Sequence, residues 1–140
     1  MPHDPRKLLE DVRQATARIQ QFTASASADE YGQSELLRSA VERQFEIAAE
    51  ALNRLLKLAP ELATKITEYR RIIDFRNLLN HGYDLIDDAI VWGVVQKDVP
   101  VLHREVEALL AIELGLWSQV AARIDPRLQR CSLKTLDERL

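Results

Sequence analysis

Several things are scarce in this 140-residue sequence. There is one cysteine, Cys131, which excludes an intrachain disulfide framework and a cysteine zinc cluster. Four glycines and five prolines are few for a sheet protein, which needs many tight turns. No long apolar run is present. The greasiest stretch, Val106 to Trp117, is interrupted by Glu107 and Glu113 and is too short and too charged to span a bilayer. The opening residues, Met1 to Lys7, carry charges with no apolar core behind them, so they do not read as a signal peptide. An excess of basic charge is lacking too. The formal net charge is −3, whereas proteins that coat nucleic acid draw most of their affinity from phosphate neutralisation and are usually basic. That argues against a histone-like binder but not against an enzyme gripping one or two phosphates. A glycine-rich phosphate loop, a histidine pair with metal spacing and a nucleophile elbow are all missing. The absences point to a cytoplasmic protein with no cofactor and no metal.

What remains is helical. Ala, Leu, Glu, Arg and Gln dominate, and these favour helices. A hydrophobic fraction of 46% suffices for one globular domain. A first helix is predicted from Asp4 to Ala24, with Pro5 in its first turn and Leu8, Val12, Ala15 and Ile19 at helical spacing. Ser25 to Asp29 reads as a loop and Gly32 as a break. Ser34 then caps a second helix whose stripe runs Leu37, Val41, Phe45, Ala48, Leu52, Leu55, Leu56, Ala59. Leu36, Ala40, Ile47 and Ala51 widen that stripe, as in a helix touching two neighbours. A third helix is predicted over Glu61 to Asn80, with Gly82 as its C-cap residue. A short helix follows from Asp84 to Lys97. The last is predicted to start at Asp98, with Pro100 in its first turn, and to end before Pro126. The expected fold is all-α: an antiparallel bundle of four to five helices in a single domain over residues 1–125, with a polar tail at 126–140.

The third helix changes character along its length. Leu62, Ile66, Tyr69 and Ile73 form a stripe that continues into Arg76, Asn77 and Asn80. A second stripe, Ile72, Phe75 and Leu79, occupies an adjacent face. His81 closes the helix and Tyr83 follows. Burying such polar groups unpaired costs roughly 1–3 kcal/mol each, so the face opens into a cleft or interface, or its groups pair. Arginine presents a fork of donors suited to phosphate. Histidine titrates near neutrality and can take or give a proton. Those are the parts for cleaving an RNA phosphodiester, because RNA supplies its own 2′-hydroxyl nucleophile. The same residues also fit a solvated surface at a helix end, and spacing alone does not choose between the two.

Arg76-x4-His81-x-Tyr83 matches the R-x(4–6)-H-x-Y motif of HEPN ribonucleases, with Asn77 as the polar residue usual after the arginine. Arg43 to Ala51 looks like the arginine-led segment of HepT-like proteins that ends in G-E-A, with Ala49 in place of glycine. Asp87, Trp92 and Asp98-Val99-Pro100-Val101-Leu102 match the family's later landmarks in order. Over roughly residues 4 to 115 the chain thus resembles HepT-like proteins of the HEPN superfamily. The resemblance implies a HEPN-type bundle that homodimerises around a shared cleft. It implies a metal-independent endoribonuclease toxin of a type VII toxin–antitoxin pair, with Arg76 on the scissile phosphate and His81 as general acid or base. Asn77 and Asn80 would support them. It also implies a nucleotidyltransferase antitoxin that transfers AMP to Tyr83. A non-catalytic adaptor of a nucleotidyltransferase, and a homodimer whose polar cluster only sets register, stay open as alternatives. Arg43 and Glu50, seven apart on one flank of the second helix, line the cleft beside Arg76 or form a solvated, salt-bridged face. His103 is placed on the surface, and Trp92 and Trp117 are read as core or dimer anchors.

Overall fold

The computed structural model describes residues 4–81 and 87–124, with backbone only at 80, 81, 113, 114, 116–118, 120–122 and 124. The described residues form six helices and no strand: α1 (Pro5–Thr23), α2 (Ala28–Gln33), α3 (Glu35–Leu58), α4 (Pro60–Ala63), α5 (Tyr69–His81) and α6 (Asp88–Ile124). The polar tail lies outside the described residues.

The helix starts follow their caps. The Asp4 carboxylate accepts the Arg6 N–H at 3.0 Å, and Pro5 supplies the first helical residue of α1. The Ser34 hydroxyl accepts the Leu37 N–H at 3.1 Å and opens α3. The α3 stripe is buried at Val41, Phe45, Ala48, Leu52 and Leu55, whereas Leu36 is exposed. Pro60 ends α3 and begins α4.

Two apolar clusters fix the helix directions. Leu8, Leu9, Val12 and Ala15 from the start of α1 pack with Ala48 to Leu55 from the end of α3 and with Leu102 to Leu110 of α6. Ile19, near the end of α1, packs with Val41 and Phe45 early in α3, Leu79 late in α5, and Val91, Val95 and Val99 early in α6. Helices α1 and α3 are therefore antiparallel, α5 runs antiparallel to α3, and α6 runs antiparallel to α1. The result is an all-α antiparallel bundle.

Three features differ from the sequence reading. First, the segment expected as two helices is one 37-residue helix, with Pro100 inside it. Proline there removes an N–H bond to the Gln96 carbonyl and costs roughly 3 kcal/mol. Yet Val91, Val95, Val99, Leu102 and Val106 continue one stripe in register, and each buried side chain contributes about 1.5–3 kcal/mol. Together they outweigh the lost bond. Second, α2 forms where a loop and a break at Gly32 were expected. Ser27 caps it, accepting the Glu30 N–H, and Tyr31 anchors it in the core.

Third, the helix expected over Glu61 to Asn80 is interrupted. The turn at 64–68 buries Ile66, and the Glu105 carboxylate accepts the N–H and hydroxyl of Thr67, tying the turn to α6. Glu68 closes the turn with φ at 58°, the left-handed region that disfavours a side chain. Glu68→Gly is expected to stabilise the fold by about 1 kcal/mol, read as a higher midpoint in urea. An unchanged or lower midpoint would show that the ion pair of Glu68 with Arg71 outweighs the backbone strain.

Candidate functional site

The rotation of α5 decides where Arg76 points. Leu79 is buried, and the Phe75 ring meets Phe45 edge-on at 5.3 Å. The core stripe of this helix is therefore Ile72, Phe75 and Leu79, which turns Arg76 along the flank of α3. Its Nη1 lies 2.7 Å from Glu50 Oε2, with both side chains about one-third exposed. The other Glu50 oxygen accepts Arg54 Nε–H at 3.0 Å. Arg43 Nη1 lies 3.3 Å from Glu46 Oε2, one turn earlier on α3. These groups line an open groove of about 270 Å³, with Asp11 of α1 opposite.

The groove therefore joins three arginines, Arg43, Arg54 and Arg76, to three carboxylates, Asp11, Glu46 and Glu50. Half-exposed pairs of this kind contribute less than about 1 kcal/mol. They orient the guanidinium groups without locking them away from another anion. Each arginine carries five N–H donors, so the bonds to carboxylate leave others for a ligand.

Arg76, Arg43 and Glu50 thus line one groove. Asn77 is exposed and is not part of its lining. Asn80 and His81 belong to the last turn of α5, and only their backbone is described. Tyr83 lies outside the described residues. Arg54 escaped the sequence reading. Its signal was its place four residues after Glu50, the spacing of a helical ion pair. An apolar cavity of about 140 Å³ lies on the other side of α5, between Phe75, Val94 and Leu102. Thr67, Glu68, Arg71 and Asp98 also line it, but only one guanidinium is among them, whereas the groove gathers three, so the groove is the candidate site.

The start of α6 is anchored by a second polar group. Tyr31 is fully buried, its ring 5.6 Å from that of Trp92, and its hydroxyl has no hydrogen-bond partner among the described residues. Arg38 donates to the Gly32 carbonyl and stands 4.0 Å from Asp88 Oδ1. Burial, with the negative charge of Asp88, raises the Glu42 carboxyl above the ordinary glutamate range, and Arg38 opposes the shift. A raised folded-state pKa means ionised Glu42 is less favoured in the fold than in the unfolded chain. Its contribution is fully present below the unfolded value and is lost as pH rises through the folded one. Glu42→Gln is therefore expected to be more stable than the parent at pH 7. The gap should close as pH falls toward 4.5, measured by chemical denaturation across pH. A gap that does not change with pH would refute the assignment.

His103 is placed differently from the surface position expected. It lies in the middle of α6 with its side chain 17% exposed. Nδ1 is 2.9 Å from the Thr16 hydroxyl of α1, and Nε2 meets Glu107. Among the described residues, no group of three or more His, Cys, Asp or Glu side chains is placed to hold a metal ion. No helix among them is long and apolar enough to cross a membrane.

A half-buried guanidinium held by a carboxylate over an open groove, on an all-α bundle, defines a candidate anion site. The chain belongs to the HepT-like ribonuclease family, whose model matches residues 12–109. The probable ribonuclease HepT of Thermococcus cleftensis is 28% identical over 113 residues, covering 78% of this chain and 98% of that protein. A Methanocaldococcus jannaschii protein provisionally named an RNase is 29% identical over 104 residues, covering 74% of this chain and 94% of its own. A second provisionally named RNase, from Caldanaerobacter subterraneus subsp. tengcongensis, is 28% identical over 109 residues, covering 78% and 96%. No solved structure matches the chain.

Proposed function

We propose that this chain is a metal-independent endoribonuclease, the toxin of a type VII toxin–antitoxin pair. The observation that carries this reading is Arg76, the motif arginine, oriented by Glu50 at the mouth of a groove with two further guanidinium groups. The ribonuclease names of its relatives support the same reaction class.

The reaction is an internal transfer. The 2′-oxygen of RNA bonds to the adjacent phosphorus while the bond to the 5′-oxygen breaks. The product is a cyclic phosphate and a free 5′-hydroxyl. His81 takes the proton from the 2′-hydroxyl or delivers one to the departing oxygen. Arg76 donates to the nonbridging oxygens as charge grows on them. Asn77 and Asn80 support the two.

Helical positions 76 and 81 differ by about 140° around α5, since each residue turns the chain about 100°. Arg76 and His81 thus occupy different faces of the same helix. That favours a cleft shared by two copies of the chain. Tyr83, two residues past His81, is the acceptor of AMP from a nucleotidyltransferase antitoxin. The added anion would occupy the phosphate site and block it.

The test is direct. The purified chain incubated with RNA in EDTA should give fragments. If no RNA is cut, but a stable complex forms with a nucleotidyltransferase, the chain is a non-catalytic adaptor instead. The acidic net charge and the three carboxylates in the groove favour that second reading.

A further inference from the structure

The groove is longer than one phosphate needs. Arg43 and Arg54 are eleven residues apart on one flank of α3, about 16 Å along its axis. That is the span of a few nucleotides of single strand. Arg76 projects from α5 into the same groove and shares the Glu50 carboxylate with Arg54. Each of the three guanidiniums faces a carboxylate, Glu46 or Glu50. A lone phosphate entering such a groove meets nearly balanced charge and gains little. A chain of phosphates meets three donor groups in succession and adds their small contributions.

Donor use is compatible with this. Arg54 uses Nε on Glu50, leaving both terminal nitrogens for a ligand, and Arg76 uses Nη1, leaving Nη2 and Nε. Arg43 is two-thirds exposed and Arg54 half exposed, so both reach solvent.

We propose that the α3 flank is a backbone-binding strip. Arg54 holds a phosphate next to the one on Arg76, Arg43 holds another further along, and Glu50 positions Arg54 and Arg76 together. The ligand class is then a single-stranded polynucleotide of several residues, not a mononucleotide. This rests on the reading of RNA as substrate.

The probe is a fluorescein-labelled 2′-O-methyl octauridylate, which cannot be cleaved through its 2′-oxygen. Fluorescence anisotropy gives its affinity over a range of salt concentrations. The octamer should bind the chain at least tenfold more tightly than the matching dinucleotide. Arg43→Ala and Arg54→Ala should each reduce the slope of log K against log salt by about 0.7, the value for one phosphate contact on a single strand. Arg71→Ala, which alters an exposed arginine paired with Glu68, should leave the slope unchanged. Failure to bind the octamer, equal affinity for the dinucleotide, or unchanged slopes in the Arg43 and Arg54 variants would overturn the strip. Binding with these slopes but no cleavage of ordinary RNA would leave the strip standing and remove the catalytic reading.

Discussion

Arg76→Ala should lower the rate of RNA cleavage by at least about a hundredfold and leave the fold intact. Loss of one preorganised donor to a developing oxyanion typically costs two to three orders of magnitude. Little stability is at stake, because the Arg76 side chain is one-third exposed and its pair with Glu50 contributes less than about 1 kcal/mol. Glu50 keeps Arg54 as a partner in the variant, so no charge is stranded. Arg76→Lys should recover only part of the rate, since lysine restores the charge but not the planar fork. Initial rates and thermal unfolding measured on the same preparations separate the two effects. A variant that cuts at the parent rate would remove Arg76 from the reaction.

Leu52→Ala should cost about 2–5 kcal/mol of stability, the usual range for emptying a fully buried leucine site. Leu52 has no exposed surface and lies in the cluster where α1, α3 and α6 meet. The neighbouring backbones belong to three long helices, so the space does not collapse fully around the smaller side chain. The unfolding temperature should fall by on the order of 10 °C. Leu58→Ala is the control. Leu58 is 46% exposed at the end of α3, and its loss should cost no more than about 0.5 kcal/mol. Equal effects of the two changes, read from denaturant midpoints, would mean that the packing of α3 is not what holds the bundle together.

The legible parts of this fold were those set by local chemistry. Asp4, Pro5 and Ser34 mark helix starts because a side chain or a fixed φ satisfies the first turn locally. The stripe from Val41 to Leu55 was readable because one face of α3 is buried along most of its length. The cost of Pro100 is evident locally in sequence, whereas the stripe that outweighs it runs from Val91 to Leu110, on both sides of the proline. The break at 64–68 was hidden for a related reason: Thr67 is held by Glu105, 38 residues away. His103 was misplaced with its helix start, and its partner Thr16 lies on another element.

The groove was legible only in part. The motif named Arg76, and helical spacing put Arg43 and Glu50 on one flank, but Asn77 does not line the groove and the side chains of Asn80 and His81 lie outside the described residues. The ion pair joining Glu50 to Arg76 depends on how α5 is rotated against α3. That rotation is set by Phe75 and Leu79 in the core. Arg54 went unnoticed because a charged residue on a helix flank usually meets only water.

The most direct measurement compares the RNA ends made by the parent chain and by His81→Ala, both in EDTA. The parent should give fragments ending in cyclic phosphate with free 5′-hydroxyls, and the variant should form them at least about a hundredfold more slowly. Undiminished cleavage by His81→Ala, or cleavage by the parent that appears only after a divalent cation is added, would contradict this mechanism.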